Sequence, residues 1–230
     1  MSGVAAISKR APAPRFRSTS PLTALPAGER VGARVRHWLR RAELPVDTVE
    51  LAQFLLGAWL VAQERSDRAV VRIVETEAYV PGDAASHAFR GETVRNQSMF
   101  LRRGHAYVYF IYGTSYCLNV TSETPGVGAA VLIRAGEPLG GLAGMRSRRN
   151  CGDDRMLCRG PGRLAAALGI AKSDDGLDLC APGRLRLAAG AASPASGCSE
   201  RIGLTKERSR RLRFFEAGSP FVSGPRTLNR

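Results

Sequence analysis

A chain of 230 residues, 44% of them hydrophobic and with 25 glycines, has the composition of a globular protein with one good-sized core rather than a disordered chain. Its longest apolar run, Phe54–Ala62, contains Gly57 and is far too short to span a bilayer as a helix. The 34 Lys and Arg outnumber the 20 Asp and Glu, and the formal charge of +14 favours a polyanionic partner (DNA, RNA or an acidic membrane surface).

Residues 1–28 carry four basic residues and no acid among many Ala, Pro and Ser. They read as a disordered basic tail, without the apolar stretch of a secretory signal; a transit peptide or a DNA-tracking arm fits the same composition. From Val31 to Ala42 the apolar residues Val31, Val35, Trp38 and Leu39 fall at helical spacing. Asp47 and Glu50 form a capping-box pattern ahead of a short helix that Gly57 closes. Trp59–Gln63 and Ala69–Tyr79 read as strands joined by a turn. Pro81-Gly82-Asp83 then opens a long loop to about Arg103 that holds His87, Arg90, Arg95, Asn96 and Met99; a loop of this length in a compact domain is usually functional.

Strands are next expected at His105–Ile111, Ser115–Thr121 and Ala129–Ala135. The first two are joined by a tight hairpin in which Gly113 supplies a positive φ and Tyr112 sits at the exposed tip. Leu139–Arg149 and Pro161–Leu168 read as short helices, the second with proline at its start. Before it, Gly160-Pro-Gly-Arg163 could present backbone amides and a guanidinium to a phosphate. Residues 181–200 read as irregular, and Leu212–Glu216 as a last strand. These elements predict an α+β fold: a single compact domain over residues 29–230 with a curved, mostly antiparallel sheet, flanking helices and a protruding β-hairpin.

The residues with chemical options gather between Val70 and Thr121. In a strand, residues two apart share a face, about 6.5–7 Å apart, so Glu75, Glu77 and Tyr79 project together, as do Tyr107 and Tyr109 on another strand. Aromatics around a carboxylate make a dry pocket in which its charge acts strongly, and such a slot suits a flat, electron-poor ligand. A basic chain with an aromatic slot, an acid and an exposed wedge fits machinery that extrudes a base from a duplex; a sheet whose tyrosines merely pack against a helix fits the same residues. Other chemistries have less support. There is no Gly-x-Ser-x-Gly and no phosphate-binding Gly-x4-Gly-Lys loop. The only lysines are Lys9, Lys172 and Lys206, all outside the aromatic cluster, which argues against a Schiff-base nucleophile. The five cysteines include no Cys-x-x-Cys pair, so free thiols rather than structural zinc are expected.

At these residues the chain resembles the alkyladenine (3-methyladenine) DNA glycosylase family. The matching stretches are Arg72-Ile-Val-Glu-Thr-Glu-Ala-Tyr79, Arg95-Asn96, Met99-Phe100, Tyr107-Val-Tyr-Phe-Ile-Tyr-Gly113, Leu118-Asn-Val120, Val131-Leu-Ile-Arg-Ala135 and Leu157-Cys-Arg-Gly-Pro161, with Leu212-Arg-Phe214 and Gly218-Ser-Pro220 near the end. The resemblance implies a monofunctional enzyme of base excision repair with no metal or cofactor, acting as a monomer on double-stranded DNA. It would flip damaged purines (3-methyladenine, 7-methylguanine, hypoxanthine, ethenoadenine) and hydrolyse the glycosidic bond in one water attack. By position, Glu77 is the acid that activates the water and Arg134 supports it, while Glu75 is structural. Tyr79, His87 and Tyr109 sandwich the base, Asn119 excludes the 2-amino group of normal guanine, and Tyr112 fills the gap left in the duplex. Arg95, Asn96, Met99, Gly160 and Arg163 contact DNA. A bacterial owner implies the cytoplasm and nucleoid; a nucleus or organelle stays open. The chain departs from the mammalian pattern in a shorter Tyr79–His87 loop, in Thr114 and Ser115 beside the wedge and in Glu123–Gly128, which bears on substrate range more than on the reaction. Two other readings stay open: an inert nucleic-acid-binding module on the same sheet, and a basic structural protein whose acid and aromatics are core.

Overall fold

The computed structural model describes residues 35–64, 67–111, 113–190 and 195–229. The tail expected over 1–28, the start of the Val31–Ala42 segment and the hairpin-tip residue Tyr112 lie outside them. The described strands are β1 (Trp59–Glu64), β2 (Asp67–Tyr79), β3 (Ala106–Ile111), β4 (Ser115–Thr121), β5 (Ala130–Gly140), β6 (Leu185–Ala188), β7 (Ser196–Ser199) and β8 (Arg213–Glu216). They form one sheet in the order β3-β4-β5-β2-β1-β6, with β8 also on β2 and β7 on β8. Every pairing is antiparallel, and the sheet curls into a half-barrel. With four α-helices, α1 (Thr48–Phe54), α2 (Leu142–Arg149), α3 (Asp154–Leu157) and α4 (Pro161–Ala167), the fold is α+β as expected.

β2 is the axis of the sheet. Its 13 residues pair with β5 along one edge, while along the other β1 takes the first half and β8 takes Glu75–Glu77. Burial on both faces explains why the strand lacks the polar–apolar alternation of a surface strand. Irregularities in the β2–β5 register on both sides of Glu75 bend the strand there, as bulges do. Asp47 caps α1 by accepting from the amides of Val49 and Glu50 at 2.8 and 2.9 Å. The helix is tied to the sheet by the Thr76 hydroxyl, which donates to the Ala52 carbonyl at 2.9 Å. The β3–β4 hairpin turns through Gly113, whose φ of 66° is the conformation a side chain disfavours.

Three expectations are corrected. The described part of Val31–Ala42 is not the expected α-helix; only Arg41 and Ala42, at its end, enter a 3-10 helix, Arg41–Glu43. His37 to Leu39 run extended beside β6, with the Leu39 amide on the Leu187 carbonyl at 3.0 Å and that of Ala189 on His37 at 2.9 Å. Edge-strand hydrogen bonding and the seat of Trp38, 4.1 Å beneath the Arg186 guanidinium, override the periodicity. The helix expected from Leu139 begins at Leu142, because Gly140 still pairs with Val70 and Gly141, at φ 71°, makes the turn. The irregular stretch 181–200 contains β6 and β7, each four residues long, too short and too rich in Ala, Gly and Ser to carry a periodic signal.

Candidate functional site

The two acids of β2 share a face, and both are fully buried. Arg134 of β5 bridges them, its Nε 3.0 Å from Glu75 Oε1 and its Nη1 3.1 Å from Glu77 Oε1. Their other partners differ. Glu75 accepts from Arg213 Nε at 2.7 Å and from the Ser223 amide at 2.7 Å. Glu77 accepts from the Ile202 amide at 2.8 Å and from the Tyr79 hydroxyl at 3.0 Å. Burial pulls the Glu75 pKa upward, but Arg134 and Arg213 outweigh it and hold the carboxyl below its ordinary value. Burial would lower the Arg134 pKa; Glu77 and Glu75 raise it instead, so its charge is secure.

A cavity of about 400 Å³ opens beside this network, with Tyr79, Arg134 and Ile202 in its wall. Glu77 therefore stands directly behind three of the cavity's lining residues, whereas Glu75 points to Arg213 and the C-terminal segment. This difference in company separates the two acids, which spacing alone could not do. An aromatic cluster also lines the cavity. His87 meets Tyr109 edge-on, with ring centroids 4.6 Å apart and an interplanar angle of 81°, and His87 Nδ1 is 2.9 Å from the Tyr107 hydroxyl. Tyr109 stacks on Tyr107 at 5.5 Å. Burial, helped by Arg95, pushes the His87 pKa below its ordinary value, so the ring is neutral at pH 7. Burial raises the phenols of Tyr79 and Tyr109 and pushes Tyr107 up to about 12, so all three keep their protons.

Asn119 also lines the cavity. It is 4% exposed, and its amide donates to the Tyr107 carbonyl at 3.0 Å, which fixes the side chain against the β3 backbone. Of the residues expected to touch DNA, Arg95 and Arg163 are exposed, and Gly160 leads into α4, whose Pro161 and Gly162 rim the cavity. Asn96 and Met99 are both buried. Asn96 is 4% exposed and spends its side chain on its own loop, bonding Thr93, the His87 carbonyl and the Gly91 carbonyl. Met99 is 2% exposed, packs on Tyr107 and lines the cavity. Met99 shapes the pocket from within, and Asn96 shapes the loop that carries His87.

Three residues outside the expected set belong to the site. Arg213, 0% exposed, bonds Glu75, Ser199, Ser223, Leu228 and Asn229 and lies 4.6 Å from the Phe215 ring centroid. It ties the C-terminal segment to the acid pair. Arg201, also fully buried, pairs with buried Asp83 and donates to the Ala78 carbonyl at 3.0 Å; its guanidinium lies 4.7 Å from the Tyr79 ring centroid. That contact fixes the Tyr79 ring, while the next amide, Ile202, holds Glu77. Tyr107 anchors His87. Its signal was legible in the two-residue spacing with Tyr109; in an arginine-rich chain little marks these two guanidiniums as buried.

Comparison with known proteins gives one answer. The sequence profile described as methylpurine-DNA glycosylase (MPG) matches residues 42–220. A protein of Mesorhizobium japonicum named "Putative 3-methyladenine DNA glycosylase" is 57% identical over 191 residues, covering 83% of this chain and 92% of its own. Proteins of the same name from Paraburkholderia phytofirmans (51% over 191 residues, 83% and 90%) and Methanoculleus marisnigri (46% over 182 residues, 77% and 94%) also match. The buried acid pair, the aromatic cavity beside it and these full-length likenesses agree: the chain belongs to the methylpurine-DNA glycosylase family.

Proposed function

We propose that the protein is a monofunctional DNA glycosylase that takes a flipped, alkylated or deaminated purine into the aromatic cavity and hydrolyses its bond to deoxyribose with a water activated by Glu77. The observation that carries this is the placement of a buried carboxylate, bonded to Arg134, Ile202 and Tyr79, directly behind the wall of an aromatic cavity. A base enters between Tyr79 on one side and His87 with Tyr109 on the other. Water then reaches the carboxylate by displacing the Tyr79 hydroxyl from Oε2. As the C1′–N bond lengthens, its electron pair leaves with the base, and the cationic sugar that develops is stabilised by the Glu77 charge, undiluted by solvent. The water oxygen bonds to C1′ and its proton passes to Glu77. An alkylated purine departs neutral, because its positive charge absorbs the electron pair. Hypoxanthine and ethenoadenine start neutral and need a proton as they leave.

Selectivity follows from the same groups. Flipping costs a few kcal/mol, less for a damaged or mispaired base, and stacking returns roughly 1–3 kcal/mol. A neutral His87 does not repel a cationic base. The fixed Asn119 amide crowds the position of a guanine 2-amino group. Arg95, Gly160 and Arg163 meet the duplex backbone, and Tyr112 fills the space the base vacates. Among the described residues no lysine lines the cavity, and a monofunctional hydrolysis needs none. The test is incubation with duplex carrying one hypoxanthine or one 7-methylguanine, with the products followed by mass. Free base with an intact strand that breaks only on alkali treatment supports the reading. Binding without base release would leave the inert-module reading, and strand scission before alkali would exclude the monofunctional one.

A further inference from the structure

A second cleft of about 400 Å³ lies away from the base cavity, lined by Arg155, Arg159 and Arg226 around Phe215, Glu216 and Ser219. Its charge is unbalanced. Glu216, the one acid in the lining, is paired with Arg72, which it shares with Glu137 at 2.9 Å, so three lining arginines face a single, already paired carboxylate. Arg155 and Arg226 are exposed, and neither guanidinium has a hydrogen-bond or ion-pair partner among the described residues. Arg159 is half-buried and anchored through Nε to the Val222 carbonyl at 2.8 Å, which leaves its two terminal nitrogens for a ligand. Three guanidiniums converging on one concave surface, one of them held in place, suit a phosphate, which takes several N–H donors at once.

One chain segment, residues 155–162, contributes to both the cleft and the base cavity. Arg155 and Arg159 face the cleft, while Pro161 and Gly162 of the same segment line the base cavity, and Gly162 packs against Ser115 at the turn end of the hairpin. Three residues of chain reach at most about 11 Å, close to three steps of a strand rising about 3.4 Å per nucleotide. We propose that this cleft is a phosphodiester subsite, gripping the DNA backbone a few nucleotides from the flipped base on the side of the segment away from the hairpin. This rests on the glycosylase reading for the identity of the polyanion, not for the anion chemistry of the cleft.

The test uses the full chain with Arg155→Ala, Arg226→Ala and the double variant, and Arg36→Ala, an exposed arginine elsewhere, as a charge control. Affinity for undamaged and hypoxanthine-containing duplex is measured by fluorescence anisotropy across a salt series. Each lost phosphate contact should flatten the slope of log K against log salt by about 0.9 and weaken binding at 0.1 M by about eightfold, equally on both duplexes, with the control unchanged. A wild-type slope in the double variant, or an equal loss in Arg36→Ala, overturns the proposal. So does an outcome in which inorganic phosphate binds the wild type and is lost in the variants while duplex affinity stays; that would make the cleft a small-anion site. Base release by the wild type is scored in parallel: flattened slopes without release would keep the subsite and reject the glycosylase reading.

Discussion

The same substitution two residues apart should have opposite consequences in this fold. Glu75→Gln removes the only carboxylate among the described residues that pairs with Arg213, a guanidinium with no solvent exposure, and leaves Arg134 with Glu77 alone. Stranding a buried charge costs about 3–5 kcal/mol, which at about 2–4 °C per kcal/mol for a domain of this size lowers Tm by roughly 6–20 °C. Glu77→Gln keeps the Glu75–Arg134–Arg213 cluster intact. Its carbonyl can still accept from Ile202, so the loss is about 1–2 kcal/mol for one charge-assisted contact, or roughly 2–8 °C. Activity should invert. Below its melting transition, Glu75→Gln should release base within about tenfold of wild type, whereas Glu77→Gln should fall by about 10²–10⁴ with loss of the base that activates water. Circular dichroism melts and single-turnover base release on the same preparations measure both. A folded Glu75→Gln without activity, or a Glu77→Gln that melts earlier than Glu75→Gln and still releases base, would refute the division of labour between the two acids.

Asn119→Ser should raise release of normal guanine and of 7-methylguanine while hypoxanthine release changes little; an unchanged guanine rate removes the exclusion role. Tyr112→Ala should weaken capture of a lesion-containing duplex by at least tenfold and leave undamaged duplex nearly unaffected, and an equal loss on both would rule out the wedge. The histidine gives a pH signature. Because the folded His87 pKa lies below the unfolded one, the unfolded chain takes up a proton first as pH falls below about 6.5. The stability present above that pH is therefore lost as pH drops toward the native pKa. Glu75, also lowered, adds its loss only below about 4.5. His87→Gln should flatten the decline of Tm between pH 6.5 and 5 and leave the more acidic decline in place; an unaltered upper decline would show that other groups cause it.

Much of the site was legible because strand chemistry is local. Period-two spacing put Glu75, Glu77 and Tyr79 on one face, and Tyr107 and Tyr109 on another, and the paired registers of β2, β5, β3 and β4 bring those faces together. The arginines were not legible. Arg201 and Arg213 stand in arginine-dense sequence, and only long-range pairing with Asp83 and Glu75 decides that they are interior. Arg213 offers one hint, its place between Leu212 and Phe214 in an apolar strand. Nor was it legible that the amide of Asn96, a polar residue in a long basic loop, closes the loop that carries His87. Edge strands β6 and β7 are defined by partners more than a hundred residues away for β6 and by β8 for β7, so their own composition says little.

The central claim is that Glu77 performs chemistry at an aromatic cavity that captures damaged bases. Wild type and Glu77→Gln should be incubated in excess with duplex carrying a single 7-methylguanine or hypoxanthine, and abasic sites revealed by alkali. The account predicts abasic sites accumulating with wild type, and comparable lesion binding with release slowed at least a hundredfold in Glu77→Gln. Equal release by both proteins, or lesion binding by wild type with no release at all, would contradict it.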